Sequence, residues 1–382
     1  MLIINDFFVR YKEAISNQME LIAKNNDGKI ISATRFMGQK AMQEDDLKDN
    51  IYVYSPIKYI FEAIKGVLEA NRTEKVHIFE EEPSIWKRIL LNKSQNPLYI
   101  SMYRRPDKKY ARHLKKYKTL KKVFVELNYH KELLINNGIS ESKIEVTPTP
   151  AKIPRKKSDK KYNPDNINIL FASWNNKEGD AIRERGLEYL LKILQINPNT
   201  TLTIPLRDND TEAFEKMAEE MGVRDRVRLL EIHNDTNILI QLFDNADFVS
   251  FVPQKRIVKD VPNSLIDGLI RGKPVIISDV IDFSREVKAN NIGIVVEKGA
   301  EPIKLNVSEA EYTALSQRAY QYSAIHSQQN YLEVIEKSYN NGRKSNFYEQ
   351  IKAEQTEKCD KTRQKERCVN ENCNCEHMGD IR

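Results

Sequence analysis

The stretch Val261-Pro-Asn-Ser-Leu-Ile-Asp-Gly-Leu-Ile-Arg-Gly-Lys-Pro-Val-Ile276 decides how the second half of the chain is read. Ahead of it, Asp247-Phe-Val-Ser-Phe-Val252 is an apolar run of strand length, and Pro274-Val-Ile-Ile277 is another. Between them the apolar residues take helical spacing. Pro262 suits the position before a helix start, Asn263 and Ser264 are good caps, and Gly272 ends the helix. A strand, a loop, a helix and a strand make one turn of a doubly wound sheet. The amides of such a helix start attract a phosphate or diphosphate. Asp267, about one turn in, suits hydrogen bonds from a ribose diol. Asn263, Ser264, Leu265 and Asp267 are therefore the candidate ligand-binding residues of this turn.

Outward from this stretch the same alternation continues. Residues 167–172, 201–204, 227–230 and 293–296 read as further strands, with helices over 186–196, 211–221 and 236–244. Residues 152–166 break the pattern with Pro154, Pro164, many lysines and little apolar content, the mark of an interdomain linker. Before the linker the alternation resumes. Residues 2–4, 29–33, 51–54, 76–79, 98–101 and 122–125 are strand-like, while 11–24 and 57–70 carry helical spacing. Strands alternating with helices argue for parallel sheets covered on both faces. The expected fold class is α/β, with two doubly wound parallel-sheet domains facing across a cleft. Residues 1–153 would form the first, 154–166 the linker and 167–307 the second. Ser308-Glu-Ala-Glu311 is a capping box that opens the C-terminal helices of 308–341. Residues 342–382 are polar and irregular, and a disordered tail is expected there.

A length of 382 residues fits two domains. No run approaches the ~18 apolar residues of a membrane span. The first residues read as a strand rather than a signal peptide, so a cytoplasmic protein is expected. All four cysteines lie in the tail, which fits a reducing compartment. Cys359, Cys368, Cys373, Cys375 and His377 offer ligands enough for one zinc, but the spacing lacks the C-x2-C pair of a standard finger. An unstructured thiol-rich tail is the plainer expectation.

The net charge is +6, unevenly spread: residues 104–122 hold ten Lys/Arg against Asp107 alone, which gives +9 there and −3 elsewhere. Tyr110, Leu114 and Tyr117 share one face of a basic helix expected over 108–122. That pattern suits an anionic membrane surface, and peripheral contact with the inner face of a membrane is the resulting expectation. No nucleic-acid motif accompanies the charge, so nucleic acid is not an expected partner.

Residues 262–279, PNSLIDGLIRGKPVIISD, resemble the signature of the family-4 type retaining glycosyltransferases. Residues 123–150, 167–194 and 242–250 are similar to further parts of that family, in the same order. Asp282-Phe-Ser-Arg-Glu286 and Gly293-Ile-Val-Val296 match the family's segment on the C-terminal side of the signature. The resemblance spans roughly residues 123–299. It implies the GT-B fold of two Rossmann-like domains and a nucleoside-diphosphate sugar as donor substrate on the second. It implies no required cofactor, and a glycan, lipid-linked or other hydroxyl acceptor entering from the first domain.

The sequence departs from the family in ways that matter. The family usually carries two glutamates separated by seven residues. The second aligns with Asp267 and the first with Lys259, an inversion of charge, with Asp260 beside it as the nearest carboxylate. The family also uses an Arg and a Lys on the donor diphosphate, whose departure develops negative charge. Arg185 matches the Lys position, and Lys177, Arg183 or Arg207 are candidates for the other cation. Glu286 aligns with a glutamate on the nucleotide side of the donor. His77, at a strand end, is similar to a sugar-contacting histidine, and Arg104 joins it as an acceptor-side candidate. Asp260, Arg185 and Lys177 form the expected catalytic set. The altered signature leaves a catalytically silent homologue or a sugar-nucleotide epimerase as alternatives.

Overall fold

Burial on both faces sets the strands. Every residue of Leu2–Asn5, Val76–Phe79, Phe248–Phe251 and Val275–Ser278 is buried, as in the middle of a parallel sheet covered on two sides. The computed structural model describes residues 1–6, 8, 14–33, 50–79, 84–173, 181–206, 211–232, 235–256 and 259–340. The first sheet holds β1 (Leu2–Asn5), β2 (Lys29–Ala33), β3 (Ile51–Tyr54), β4 (Val76–Phe79), β5 (Leu98–Met102), β6 (Leu120–Val125) and β7 (Ile144–Val146). The second holds β8 (Ile167–Leu170), β9 (Thr200–Leu206), β10 (Val227–Glu231), β11 (Phe248–Phe251), β12 (Val275–Ser278) and β13 (Gly293–Val296). All pairings are parallel, in the orders β3-β2-β1-β4-β5-β6-β7 and β10-β9-β8-β11-β12-β13. Both are the doubly wound order of Rossmann-like domains. The expected α/β architecture is the one observed.

The helices follow the alternation. In the first half they are α1 (Ala14–Asn25), α2 (Pro56–Glu69), α3 (Ile85–Ser94), α4 (Lys108–Leu114) and α5 (Asn128–Asn136). In the second they are α6 (Ala181–Glu184), α7 (Leu187–Ile196), α8 (Glu212–Glu220), α9 (Thr236–Asn245), α10 (Asn263–Ile270), α11 (Phe283–Asn290), α12 (Glu309–Tyr322) and α13 (Gln328–Tyr339). Side chains of the first sheet alternate between two cores. Ile4, Ile78, Ile100 and Val123 pack with Tyr59 and Ala63 of α2 and with Tyr110 and Leu114 of α4. Ile3, Ile30, Tyr99 and Phe124 pack with Met19 and Ile22 of α1 and with Tyr331, Ile335 and Tyr339 of α13. The chain therefore ends its described part back on the first domain. Ser308 and Glu311 form the expected capping box at the start of α12.

The basic stretch folds differently from the expectation. Its helix stops at Leu114, and β6 begins at Leu120. Tyr110, Leu114 and Tyr117 are each at most 2% exposed and belong to the first domain's own core. The apolar face that would enter a bilayer is thus already covered. Lys108, Lys109, Arg112, Lys115, Lys116, Lys118 and Lys121 remain exposed on the outside. Among the described residues, no helix is long and apolar enough to cross a membrane. Cys359, Cys368, Cys373, Cys375 and His377 lie outside the described residues, as does the rest of the tail.

Candidate functional site

In the second sheet the strand order reverses between β8 and β11. Ligands of open parallel sheets bind beyond the carboxyl ends of the strands at such a reversal. Several polar groups converge there. Ser173, just past β8, places its Oγ 2.5 Å from the Oγ of Ser264 in the first turn of α10. Arg185 donates from Nη1 to the Ser173 carbonyl at 2.7 Å. Burial lowers the pKa of Arg185 and Glu184 opposes the shift, but a guanidinium stays charged throughout. The cap of α10 is Pro262, not Asn263 or Ser264, which lie inside the helix. No side chain caps this helix start, which leaves it suited to an anion. The Asn263 Oδ1 is buried without a hydrogen-bond partner.

Two glycines permit this convergence. Gly186 has φ +86°, and a Cβ there would stand 2.0 Å from the Val252 carbonyl oxygen. Only glycine lets the start of α7 close on the end of β11 and bring Arg185 to Ser173. Gly268 lets α10 lie close on β11, since a Cβ there would meet Val249 Cγ2 at 2.5 Å.

The other candidates of the donor side divide. Asp267 is buried, and its Oδ1 accepts the backbone N–H of Lys152 at 2.8 Å. It ties α10 to the segment that joins the domains. The Leu265 side chain is fully buried and belongs to the core rather than to a ligand surface. Glu286 lies in the first turn of α11, half-buried, with its Oε2 3.3 Å from the Asn290 amide. Lys177 and Arg207, and the side chain of Arg183, lie outside the described residues.

The loop before α10 makes an ionic boundary with the first domain. Lys259 Nζ donates to Glu126 Oε1, and Thr149 Oγ1 donates to the same oxygen at 2.5 Å. Next to it, Asp260 is 1% exposed and lies between Arg256 and His130. Its Oδ1 accepts from Arg256 Nη1 at 2.5 Å, and its Oδ2 lies 3.4 Å from His130 Nε2. Asp282, at the start of α11, completes the group: His130 Nε2 is 3.3 Å away, Arg256 Nη2 3.1 Å and Arg105 Nη1 3.6 Å. Arg285 stacks over Tyr129 at 4.0 Å from the opposite side of the boundary. Burial disfavours a charged His130, but its hydrogen bonds to Asp260 and Asp282 outweigh this and raise its pKa. Burial likewise opposes ionisation of Asp282, yet His130 and Arg256 bring its pKa down to about 2. His130, Asp260 and Asp282 are close enough to share a metal ion. Arg256 and Arg105 already neutralise both carboxylates, and the group is a salt-bridge network of two domains. Asp260, expected as the stand-in for the missing glutamate, is a member of that network.

His77 corrects an expectation outright. It is 0% exposed, stacked on Phe79, with Nδ1 2.5 Å from the Tyr339 hydroxyl and Nε2 2.8 Å from the Ser101 hydroxyl. Burial takes its pKa down to about 3. It anchors α13 in the core and has no ring nitrogen left for an acceptor. Arg104 lies past the carboxyl end of β5, half-buried, with its guanidinium 5.9 Å from the Tyr110 ring. Its neighbour Arg105, not singled out from the sequence, is the one that reaches Asp282.

Sequence reasoning also passed over Ser173, Glu126, Thr149, His130 and Arg256. A usable signal existed only for Glu126, an acid directly after a strand end and opposite in charge to the unexpected Lys259.

No protein-family model matches the chain, and no curated protein matches its sequence. Solved structures do resemble it. Anabaena Alr3699/HepE, in complex with UDP and glucose, superposes with a TM-score of 0.68 at 11% identity, over 89% of this chain and 99% of that one. The lipopolysaccharide outer core galactosyltransferase WaaB, in its apo form, gives 0.59 at 15% identity over 89% and 99%. A glycosyltransferase from Rickettsia africae gives 0.61 at 16% identity over 89% and 98%. At such identities the likeness is one of fold, and the fold is GT-B.

Proposed function

We propose that this chain is a glycosyltransferase of the retaining, family-4 type. It takes a nucleoside-diphosphate sugar on the second domain and passes the sugar to a hydroxyl acceptor, a glycan or lipid-linked saccharide, entering from the first. The observation that carries this reading is the convergence of Arg185, Ser173, Ser264 and the uncapped start of α10 at the reversal point of the second sheet. A fixed guanidinium, two hydroxyls and a helix N-terminus match a diphosphate in charge and in hydrogen-bonding capacity.

In this reading the same groups stabilise the diphosphate as it leaves, with no metal required. Glu286 lies on the nucleotide side. The solved complex of Alr3699/HepE with UDP and glucose supports a uridine nucleotide as the first ligand to try.

Thermal shift of the full chain against UDP, GDP and ADP tests the donor site. Stabilisation by at least one is expected, growing with ligand concentration. Arg185→Met should weaken that nucleotide roughly ten- to a hundredfold, the worth of one charged hydrogen-bond partner. No stabilisation of the native chain by any of the three would overturn the reading. Transfer itself is tested by the anomeric configuration of the product, which should equal that of the donor.

A further inference from the structure

Among the described residues, exposed large apolar side chains gather on α2. Ile57 is 74% exposed and Phe61 68%, and Ile60 and Leu68 of the same helix are exposed as well. At 3.6 residues per turn, Ile57, Phe61, Ile64 and Leu68 fall within an arc of about 60°, centred roughly 130° round the helix from the buried line of Tyr59, Ala63 and Val67. The stripe therefore points away from the first domain's core, on the side where a surface helix carries polar residues. An apolar stripe of this kind marks a surface that another molecule covers.

The charges beside the stripe identify that molecule. Lys58, Glu62, Lys65 and Glu69 take the neighbouring arc, also about 60° wide, and alternate in sign along the helix. They sum to zero, whereas a helix face built for an anionic membrane carries an excess of Lys and Arg. Their order, plus-minus-plus-minus, turns into its opposite when read backwards. A second α2 laid antiparallel thus brings Lys58 opposite Glu69 of the second copy, and Glu62 opposite its Lys65. A parallel arrangement would set like charges side by side. The apolar stripe has the matching property. Its spacings of four, three and four residues are the same in both directions, so an antiparallel pair also matches apolar side chains along its length.

We propose that α2 is the contact surface of a homodimer, two copies of this chain meeting helix to helix about a twofold axis. A twofold axis makes a surface its own partner, which is what both series require. Phe61 and Ile64 stand at the middle of the contact and Ile57 and Leu68 at its ends. Two helices of 14 residues make a small interface, so the dimer is reversible and depends on concentration.

Sedimentation equilibrium of the full chain tests this, with reductant present so that the tail cysteines cannot join two copies. The native chain should pass from monomer to dimer as its concentration rises. Phe61→Glu puts a charge in the middle of the stripe and should weaken the dimer roughly thirtyfold or more. That side chain is exposed, so the circular dichroism of the variant should match the native chain. Lys58→Glu with Lys65→Glu makes the series acidic in both copies and should abolish the dimer. Adding Glu62→Lys and Glu69→Lys reverses all four charges, restores every pair within and between the helices, and should bring the native affinity back. A native chain that stays monomeric at every concentration would overturn the proposal, as would a dimer that Phe61→Glu leaves intact. A dimer that does not return in the four-charge variant would overturn the twofold arrangement and the proposal with it. A monomeric native chain that sediments with phosphatidylcholine vesicles, and no longer does so as Phe61→Glu, would assign the stripe to a membrane instead.

Discussion

The two sheets share one topology and differ in what stands at its reversal point. In the second, Arg185 meets a carbonyl, Ser173 and Ser264 meet each other, and α10 starts without a side-chain cap. In the first, Asp6 just past β1 accepts from the Tyr59 hydroxyl at 3.1 Å and pairs with the buried Lys87 ammonium at 2.8 Å. One reversal point presents hydrogen-bonding capacity of positive sign; at the other, among the described residues, Asp6 and Lys87 pair with each other. The same topology offers a place for a ligand twice, and the residues decide where one is held.

The sharpest way to break this contrast is through glycine. Gly186→Ala forces a side chain onto a left-handed residue and into the Val252 carbonyl, 2.0 Å from the new Cβ. The backbone must move, at a cost of about 3–5 kcal/mol, and nucleotide binding should be lost with it. Gly138→Ala in the first domain is the control. It has φ +78°, but its Cβ would meet only the flexible tip of Lys115, so about 1–2 kcal/mol is expected. Urea denaturation of both variants measures the difference; equal losses would remove the special status of the second reversal point.

A second test concerns the boundary between the domains. Asp282 has an ordinary pKa of 3.8 and a folded one of about 2. A depressed carboxylate stabilises the fold above its unfolded pKa, and that contribution is lost as pH falls toward 2. It is on the order of 2 kcal/mol. His130 has the opposite sign. Its folded pKa is raised above 6.5, so its contribution is complete below 6.5 and fades as pH rises through the folded value. The network is therefore strongest between 3.8 and 6.5. Urea midpoints followed from pH 3 to pH 9 should fall off at both ends. Asp282→Asn should flatten the acid limb and His130→Gln the alkaline one. An unaltered profile in either variant would show that the boundary does not titrate through that residue.

The second domain was the more legible of the two, for a physical reason. Its central strands are buried on both faces, as those of the first domain are, but here 248–252, apolar except for Ser250, and 274–277 stand on either side of a single short helix. The helix between them is marked by Pro262 and Gly272. Arg185 was singled out by its match to the family's basic position just before Gly186, and the structure sets it against the Ser173 carbonyl. Partners distant in sequence were not. A strand-end position does not tell whether His77 turns to a cleft or to a helix 262 residues later, and it turns to Tyr339. Amphipathic spacing likewise marks the apolar side of Tyr110, Leu114 and Tyr117 without saying what covers it, and the first sheet does. The Glu126–Lys259 pair was half-visible, as an unexpected charge in search of its opposite.

The smallest expected effect sharpens the opening contrast most directly. Lys87→Met removes the buried cation of the first reversal point and keeps the apolar stem that lies in the wall. Asp6 has a side chain 46% exposed and can turn to water, so the loss should stay near 1 kcal/mol. Nucleotide affinity should not change. If Lys87 served the donor, its loss would resemble that of Arg185→Met, a fall of roughly tenfold or more. Titrating UDP into Lys87→Met and Arg185→Met side by side therefore asks which of two cations, at topologically equivalent ends of two similar sheets, belongs to the ligand. A drop in both would mean that the donor bridges the two reversal points, and the division of labour between the domains would have to be redrawn.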